Sequence, residues 1–345
     1  MIPRNVQVLI NTYKASQMRL INIIAKSVAR GNVTAYRRAV LSSVNQELRA
    51  LDKFSARWAK KEIPLSYREG AEKAYNEIRK ANIEVKKVAI NTKTVRLLVD
   101  NATGQLQDAT QFVGRRIADD LRQAGIEAVA EKLSAGDTVK QAKANLISKL
   151  NKQGVVAIRD KAGRQVSLDA YASMVARTTT REATNTGTID AVQEVGGDLV
   201  QMTSHASACP ICQPLEGRVY SISGKSKKYP RLDIAFSGGY ATIHPNCQHV
   251  LVPFFEEFAE NLEKTIEESN RPFEIREKDK ASIDAYNKDQ AIKAERRRDR
   301  KLYEQVRLTV PNEAPKTFSG FRAMKRADSE RYQQLRIAMN EATKP

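Results

Sequence analysis

The sequence predicts a mainly α protein: an elongated helical N-terminal region, a small α+β module and a charged helical C-terminal arm. Three observations carry this. Glycine and proline are sparse, at 16 and 11 of 345 residues, and aromatics are 6%, which disfavours a sandwich or barrel. Apolar residues recur with a 3.6-residue period through most of the first 150 positions. Only between about residues 155 and 255 does the pattern change to short apolar runs and turn residues.

The first helix is marked by Tyr13, Leu20, Ile21, Ile24 and Val28 on one face, with Lys14, Arg19 and Lys26 between them. Gly31-Asn32 breaks it. A second helix is predicted from Thr34 to about Lys61, burying Val40, Val44, Leu48 and Leu51. Pro64 is expected to end it, because proline lacks the N–H and crowds the preceding turn. A third helix then starts near Ser66. Leu106, Val113, Ile117, Leu121 and Val129 form another stripe, Gly136-Asp137 closes it, and Val139, Ala142, Leu146 and Leu150 form the next. Such stripes read as core. Together they define an N-terminal region over residues 1–150.

A second domain is predicted over residues 151–255. Val155 to Ile158 and Gln165 to Leu168 read as paired strands around the turn Asp160-Lys161-Ala162-Gly163. A helix follows from about Asp169 to Val195, with Gly196-Gly197 as its C-cap. Thr178-Thr179-Thr180 are poor helix formers because β-branching restricts them, so packing from outside is expected to compensate. Thr178, Arg181 and Asn185 lie at i, i+3 and i+7, a polar face able to dock on a neighbour. Residues 256–345 form the arm, with helices predicted from Phe254 to Ile275, from Ala281 to Val306 and from near Phe321. Its mixed charges nearly cancel, which suits an exposed arm or an oligomer contact.

The formal net charge is +18, and residues 1–60 hold eleven basic and two acidic side chains. That end is expected to attract polyanions through phosphate neutralisation, with Arg30, Arg37 and Arg38 as candidate contacts. At 41% hydrophobic residues the chain has a core to bury, yet no run of 18 apolar residues predicts a membrane segment. The N-terminus shows no secretory signal pattern. Three cysteines cannot all pair within one chain, which excludes a disulfide scaffold.

The densest chemistry lies between residues 205 and 249, which hold all three histidines and all three cysteines. Cys209-Pro210-Ile211-Cys212 is a C-P-x-C knuckle, and His244-Pro245-Asn246-Cys247 repeats its spacing with an imidazole first. Two knuckles separated by a loop build a tetrahedral site, and thiolate with imidazole suits Zn²⁺. The expected ligands are Cys209, Cys212, His244 and Cys247, with His249 the alternative fourth ligand and His205 a more distant one. A histidine left over would hydrogen-bond a thiolate. A Cys₃His set leaves no open position, so the zinc is expected to be structural. Leu215 to Tyr220 reads as a hairpin between the knuckles. The following Lys-, Ser- and Gly-rich loop is expected to bury little apolar surface, so that metal binding supplies folding free energy.

No catalytic residues are assigned. His205-Ala206-Ser207 lacks the glutamate of zinc nucleobase deaminases, and no H-E-x-x-H, phosphate-binding glycine loop or nucleophile elbow occurs.

The segments Ala176 to Arg181, Cys209-Pro210-Ile211-Cys212, Leu215-Glu216-Gly217 and His244-Pro245-Asn246-Cys247-Gln248-His249 resemble the minor capsid (minor head) proteins of tailed bacteriophages. The resemblance is closest to the phage minor capsid protein 2 group, related to the Mu F-like head morphogenesis proteins. It covers roughly residues 155–255, and Gln248 stands where the family usually has arginine. It implies a virion component of few copies, made in the bacterial host cytoplasm and placed at the portal vertex or capsid interior. Its implied partners are the portal protein, other head proteins and packaged DNA. Two alternatives differ in class: a zinc-supported nucleic-acid-binding protein, and a zinc-dependent enzyme acting during infection.

Overall fold

The computed structural model describes residues 3–28, 33–85, 90–123, 156–159, 163, 165–236 and 241–343. Within them the protein is mainly helical. The helices are α1 (Arg4–Val28), α2 (Val33–Lys80), α3 (Thr92–Gln123), α4 (Leu168–Glu194), α5 (Leu262–Asn270), α6 (Lys280–Thr309), α7 (Phe318–Arg326) and α8 (Glu330–Thr343). The strands are β1 (Ala157–Arg159), β2 (Gln165–Ser167), β3 (Leu199–Met202), β4 (Val219–Ser221) and β5 (Leu251–Pro253). β1 and β2 pair antiparallel, and β3 lies at the centre of a second antiparallel sheet in the order β4-β3-β5. No described helix is long and apolar enough to cross a membrane. The helix expected from Val139 to Leu150 lies outside the described residues.

The chain divides into two compact units, each assembled from separated stretches. One comprises residues 10–53, 107–171 and 291–345. In it Tyr13, Leu20, Ile21 and Ile24 of α1 and Val40, Val44, Leu48 and Leu51 of α2 are buried. Arg19 of α1 grips Glu47 of α2 through Nε at 3.0 Å and Nη2 at 2.8 Å. Its C-terminal residues pack Tyr303, Val306, Val310, Phe321 and Leu335 into a cluster. There the buried Asp299 accepts from Arg322 Nε at 2.8 Å and pairs with Lys325.

The other unit comprises residues 1–9, 54–106 and 172–290. Its centre is the crossing of α2 and α4. A Cβ built on Gly70 would lie 2.0 Å from the Thr184 carbonyl oxygen, and one on Gly187 would lie 2.2 Å from that of Tyr67. Only glycine allows that approach. Thr184 Oγ1 donates to Ser66 O at 3.3 Å and Thr188 Oγ1 to Gly70 O at 3.4 Å, stitching the two backbones together. Tyr67 Oη donates to Asp190 at 2.6 Å, and Tyr75 bonds Glu194.

Several sequence expectations need correction. Pro64 does not end a helix, for α2 runs through it without interruption. Trp58, Ala59, Ile63, Tyr67, Ala71, Ala74, Tyr75 and Ile78 are buried as one stripe across the proline. An interior proline costs about 3 kcal/mol, and each large apolar side chain buried there returns roughly 1.5–3 kcal/mol. Residues 254–275 are not one helix; Glu256–Phe258 is a single 3-10 turn and only Leu262–Asn270 is α-helical. Asn261 caps its start, accepting from Lys264 N at 2.9 Å, and Pro272 forces Arg271 into extended backbone at its end. Leu215 to Tyr220 is not a hairpin of its own. β4 pairs with β3, and the first knuckle forms the loop between them. α4 ends as its glycines predict: Gly196, at φ +76°, donates to Gln193 O, and Gly197 donates to Val192 O.

Candidate metal centre

The site rests on a small apolar core. Val192 of α4, Val200 and Met202 of β3, Tyr220 of β4, Leu251 of β5, and Leu232, Ala235 and Phe236 are buried together. The 200–255 module thus buries more apolar surface than its lysine-rich loop suggests. Arg218, fully buried, ties the loop after the first knuckle to the end of α5. Its Nε donates to Pro214 O at 2.7 Å. Nη1 donates to Ser269 O at 2.9 Å and Arg271 O at 2.6 Å, and Nη2 to Pro272 O at 2.8 Å. The guanidinium also stacks over Phe273, 4.0 Å from the ring centre. Burial, with the neighbouring charge of Arg271, holds its pKa down to about 10. Nothing in the spacing of the sequence singles out this arginine.

The two knuckles converge. Cys209, Cys212 and Cys247 are buried, and Ile243 and Tyr286 pack against them. Cys212 N donates to Cys209 Sγ at 3.4 Å, as the C-P-x-C turn requires. His244 Nε2 lies 3.2 Å from Cys209 Sγ and 3.0 Å from Cys212 Sγ, while its Nδ1 is held by Pro245 O at 2.8 Å. On the other side, Cys212 Sγ is 3.9 Å from Cys247 Sγ, and Cys247 Sγ is 3.4 Å from His249 Nδ1. The opposite nitrogen of that ring, Nε2, meets Glu216 Oε1 at 2.6 Å. Two overlapping sets could therefore hold a metal ion: Cys209, Cys212 and His244, and Cys212, Cys247 and His249. Cys212 belongs to both. His205 stands apart from both sets, exposed, with its ring edge-on to His249 at 4.5 Å and its backbone N–H donating to Glu216 at 2.8 Å.

The donors are chemically suited to a soft cation. Each imidazole has one nitrogen tied to an oxygen and the other aimed at sulfur, the arrangement that orients a histidine ligand. Without metal, the cluster shares protons unevenly. Hydrogen bonding from the Cys212 thiol holds Cys209 down to about 4 and Cys247 down to about 3, against the opposing effect of burial. Cys212 is driven far up by the same two contacts. The hydrogen bond to Cys209 lifts His244 to about 9. Burial opposes protonation of His249, but Cys247 and Glu216 outweigh it and raise it to about 9. Metal binding would displace these protons.

The polar face of α4 meets the second knuckle. Thr178 Oγ1 accepts from Asn246 N at 3.0 Å. Asn185, 1% exposed, donates to Ala241 O at 2.8 Å and His249 O at 3.4 Å and accepts from Leu251 N at 3.1 Å. Asn185 therefore grips both flanks of the segment that carries His244, Cys247 and His249. Thr180 and Thr184 satisfy their hydroxyls on carbonyls one turn back, at 2.8 and 3.0 Å. Arg30 lies outside the described residues, and Arg37 and Arg38 fall in α2 with side chains outside them.

The profile of the family described as phage minor capsid protein 2 matches residues 4–336. A protein of Lactococcus phage LL-H, named simply a structural protein, is 30% identical over 115 residues. That match covers 32% of this chain and 31% of the relative, so the chain spans about a third of that relative's length. No solved structure matches.

Proposed function

We propose, from the premise that this chain belongs to the phage minor capsid protein 2 family, that it is a minor structural component of a tailed phage or prophage head seated at the portal vertex or head interior. The match over residues 4–336 carries the reading, and the structural protein of phage LL-H supports it. Its partners would be the portal protein and other head proteins, with packaged DNA near its basic end.

In that role the Cys/His centre serves as a staple. Cys209, Cys212, Cys247 and His244 would hold one Zn²⁺, with His249 the alternative fourth ligand. Zinc would supply cohesion between two loop segments, with every coordination position closed. The donor types suit the ion: Cys212 joins the set of Cys209 and His244 to the set of Cys247 and His249, and each of those histidines has its second nitrogen already engaged.

The deciding experiment is zinc content together with native mass of the purified chain, with and without the portal protein of the same phage. One zinc per chain and a stable portal complex support the reading; the absence of both would remove it. The excess charge of residues 1–60 favours a second reading, a zinc-supported nucleic-acid-binding protein. It requires tight DNA binding with a steep salt dependence, and weakened heparin retention when Arg30, Arg37 and Arg38 become Gln.

A further inference from the structure

Arg181 lies on the polar face of α4 between two residues already bonded to the second knuckle. Thr178, three residues earlier, accepts from Asn246 N, and Asn185, four residues later, donates to His249 O. Cys247 lies between Asn246 and His249, so Arg181 shares the helix face turned toward that cysteine. Arg181 also lines a groove beside Val250 and Leu251, just beyond His249. It is only partly solvated, as is Arg177 one turn before it. Among the described residues no carboxylate closes an ion pair with either guanidinium. Glu69, on the same groove, attracts Arg181 without closing an ion pair, so a further anion nearby would offset the cost of its partial burial.

The proposed metal centre supplies that anion. Three thiolates and a neutral imidazole around Zn²⁺ leave one net negative charge. We propose that Arg181 balances the surplus charge of the Cys209–Cys212–Cys247 thiolate set and thereby sets how tightly the centre holds its metal. Arg181 is a positioning residue; it ligates nothing. Burial lowers the pKa of both arginines; for Arg181 the Cys247 sulfur and the Glu69 carboxylate oppose that, while Arg177 adds to it. His205 is pushed down first by burial, then by the charges of His249 and Arg181.

This inference rests on the zinc reading above, and one experiment separates the two. The full chain and its Arg181→Gln and Arg181→Lys variants are loaded with Zn²⁺ and titrated with a chromogenic chelator, and each metal-free form is melted. The wild-type chain is measured first. If it holds no zinc, the metal reading fails and takes this inference with it. If it holds one, Arg181→Gln should lose about tenfold in zinc affinity, within the range for residues that support metal ligands, while Arg181→Lys stays close to wild type. The metal-free forms should melt alike. Equal affinity in Arg181→Gln and wild type overturns the inference and leaves the zinc reading standing. Equal loss in both variants, with lowered melting of their metal-free forms, also overturns it by assigning Arg181 to packing.

Discussion

Glu216 Oε1 stands 2.6 Å from Nε2 of His249, and the other nitrogen of that ring faces the Cys247 sulfur at 3.4 Å. The carboxylate is buried, as is the imidazole. It also accepts from His205 N, so one side chain orients the ring and ties down the backbone leading into the first knuckle. A histidine so held either ligates a metal with Nδ1 or donates to the Cys247 thiolate.

Glu216→Ala is therefore expected to cost 10- to 100-fold in metal affinity where His249 is the fourth ligand, and less where His244 is. Chelator competition measures it. Unchanged affinity would show that the centre ignores His249. The histidines themselves decide the fourth ligand: His244→Ala should weaken binding more than His249→Ala, and the reverse order would exchange their roles.

Cys209→Ser and Cys247→Ser should each abolish stoichiometric zinc and loosen the 200–255 segment. A strong chelator should do the same to the wild-type chain. Hydrogen exchange gives a local readout, with lost protection expected near Cys212 and Cys247. The apolar core of Val200, Tyr220 and Leu251 should keep the sheet itself partly protected. Exchange unaltered by chelator would count against a structural metal.

The helix crossing offers a test independent of metal. Gly187→Ala would set a methyl 2.2 Å from the Tyr67 carbonyl oxygen, so α2 and α4 must separate. Overpacking of this kind costs about 1–3 kcal/mol or more. Gly104→Ala is the control, since a Cβ there meets nothing within 4 Å. Gly104 lies inside α3, so alanine should add roughly 0.5–1 kcal/mol. Thermal melts should move in opposite directions, and a neutral Gly187→Ala would refute the close crossing.

Burial raises the carboxyl of Glu182 on α4 to about 7. An acid whose folded pKa exceeds its unfolded value binds more protons when folded, so stability falls as pH rises from about 4.5 to about 7. Above that window Glu182→Gln should stabilise the chain by on the order of 1 kcal/mol, discounted for the solvent still reaching the group. At pH 4 the difference should vanish. Melting curves at pH 4 and pH 8 test it, and a gain equal at both would discard the explanation.

Much of the local structure was legible because local rules govern it. The stripes through Leu20 and Ile24 and through Val44 and Leu48 mark helices by period, and Gly196-Gly197 marks the end of α4 by backbone preference. The gathering of three cysteines and three histidines within residues 205–249 was visible for the same reason: knuckle spacing is a short-range property. What the sequence could not show was set by contacts between distant residues. Pro64 inside α2 is tolerated because a buried stripe continues past it. Gly70 and Gly187, 117 positions apart, matter only because two helices meet there. The tasks of Glu216 and Arg218 appear only when folding places one against His249 and the other among four carbonyls. Hydrophobic period and turn chemistry act over a few residues, so the chain itself determined its elements. Close approach, burial and charge balance exist only once distant segments meet, so the surroundings of the cysteine–histidine cluster were decided by tertiary structure.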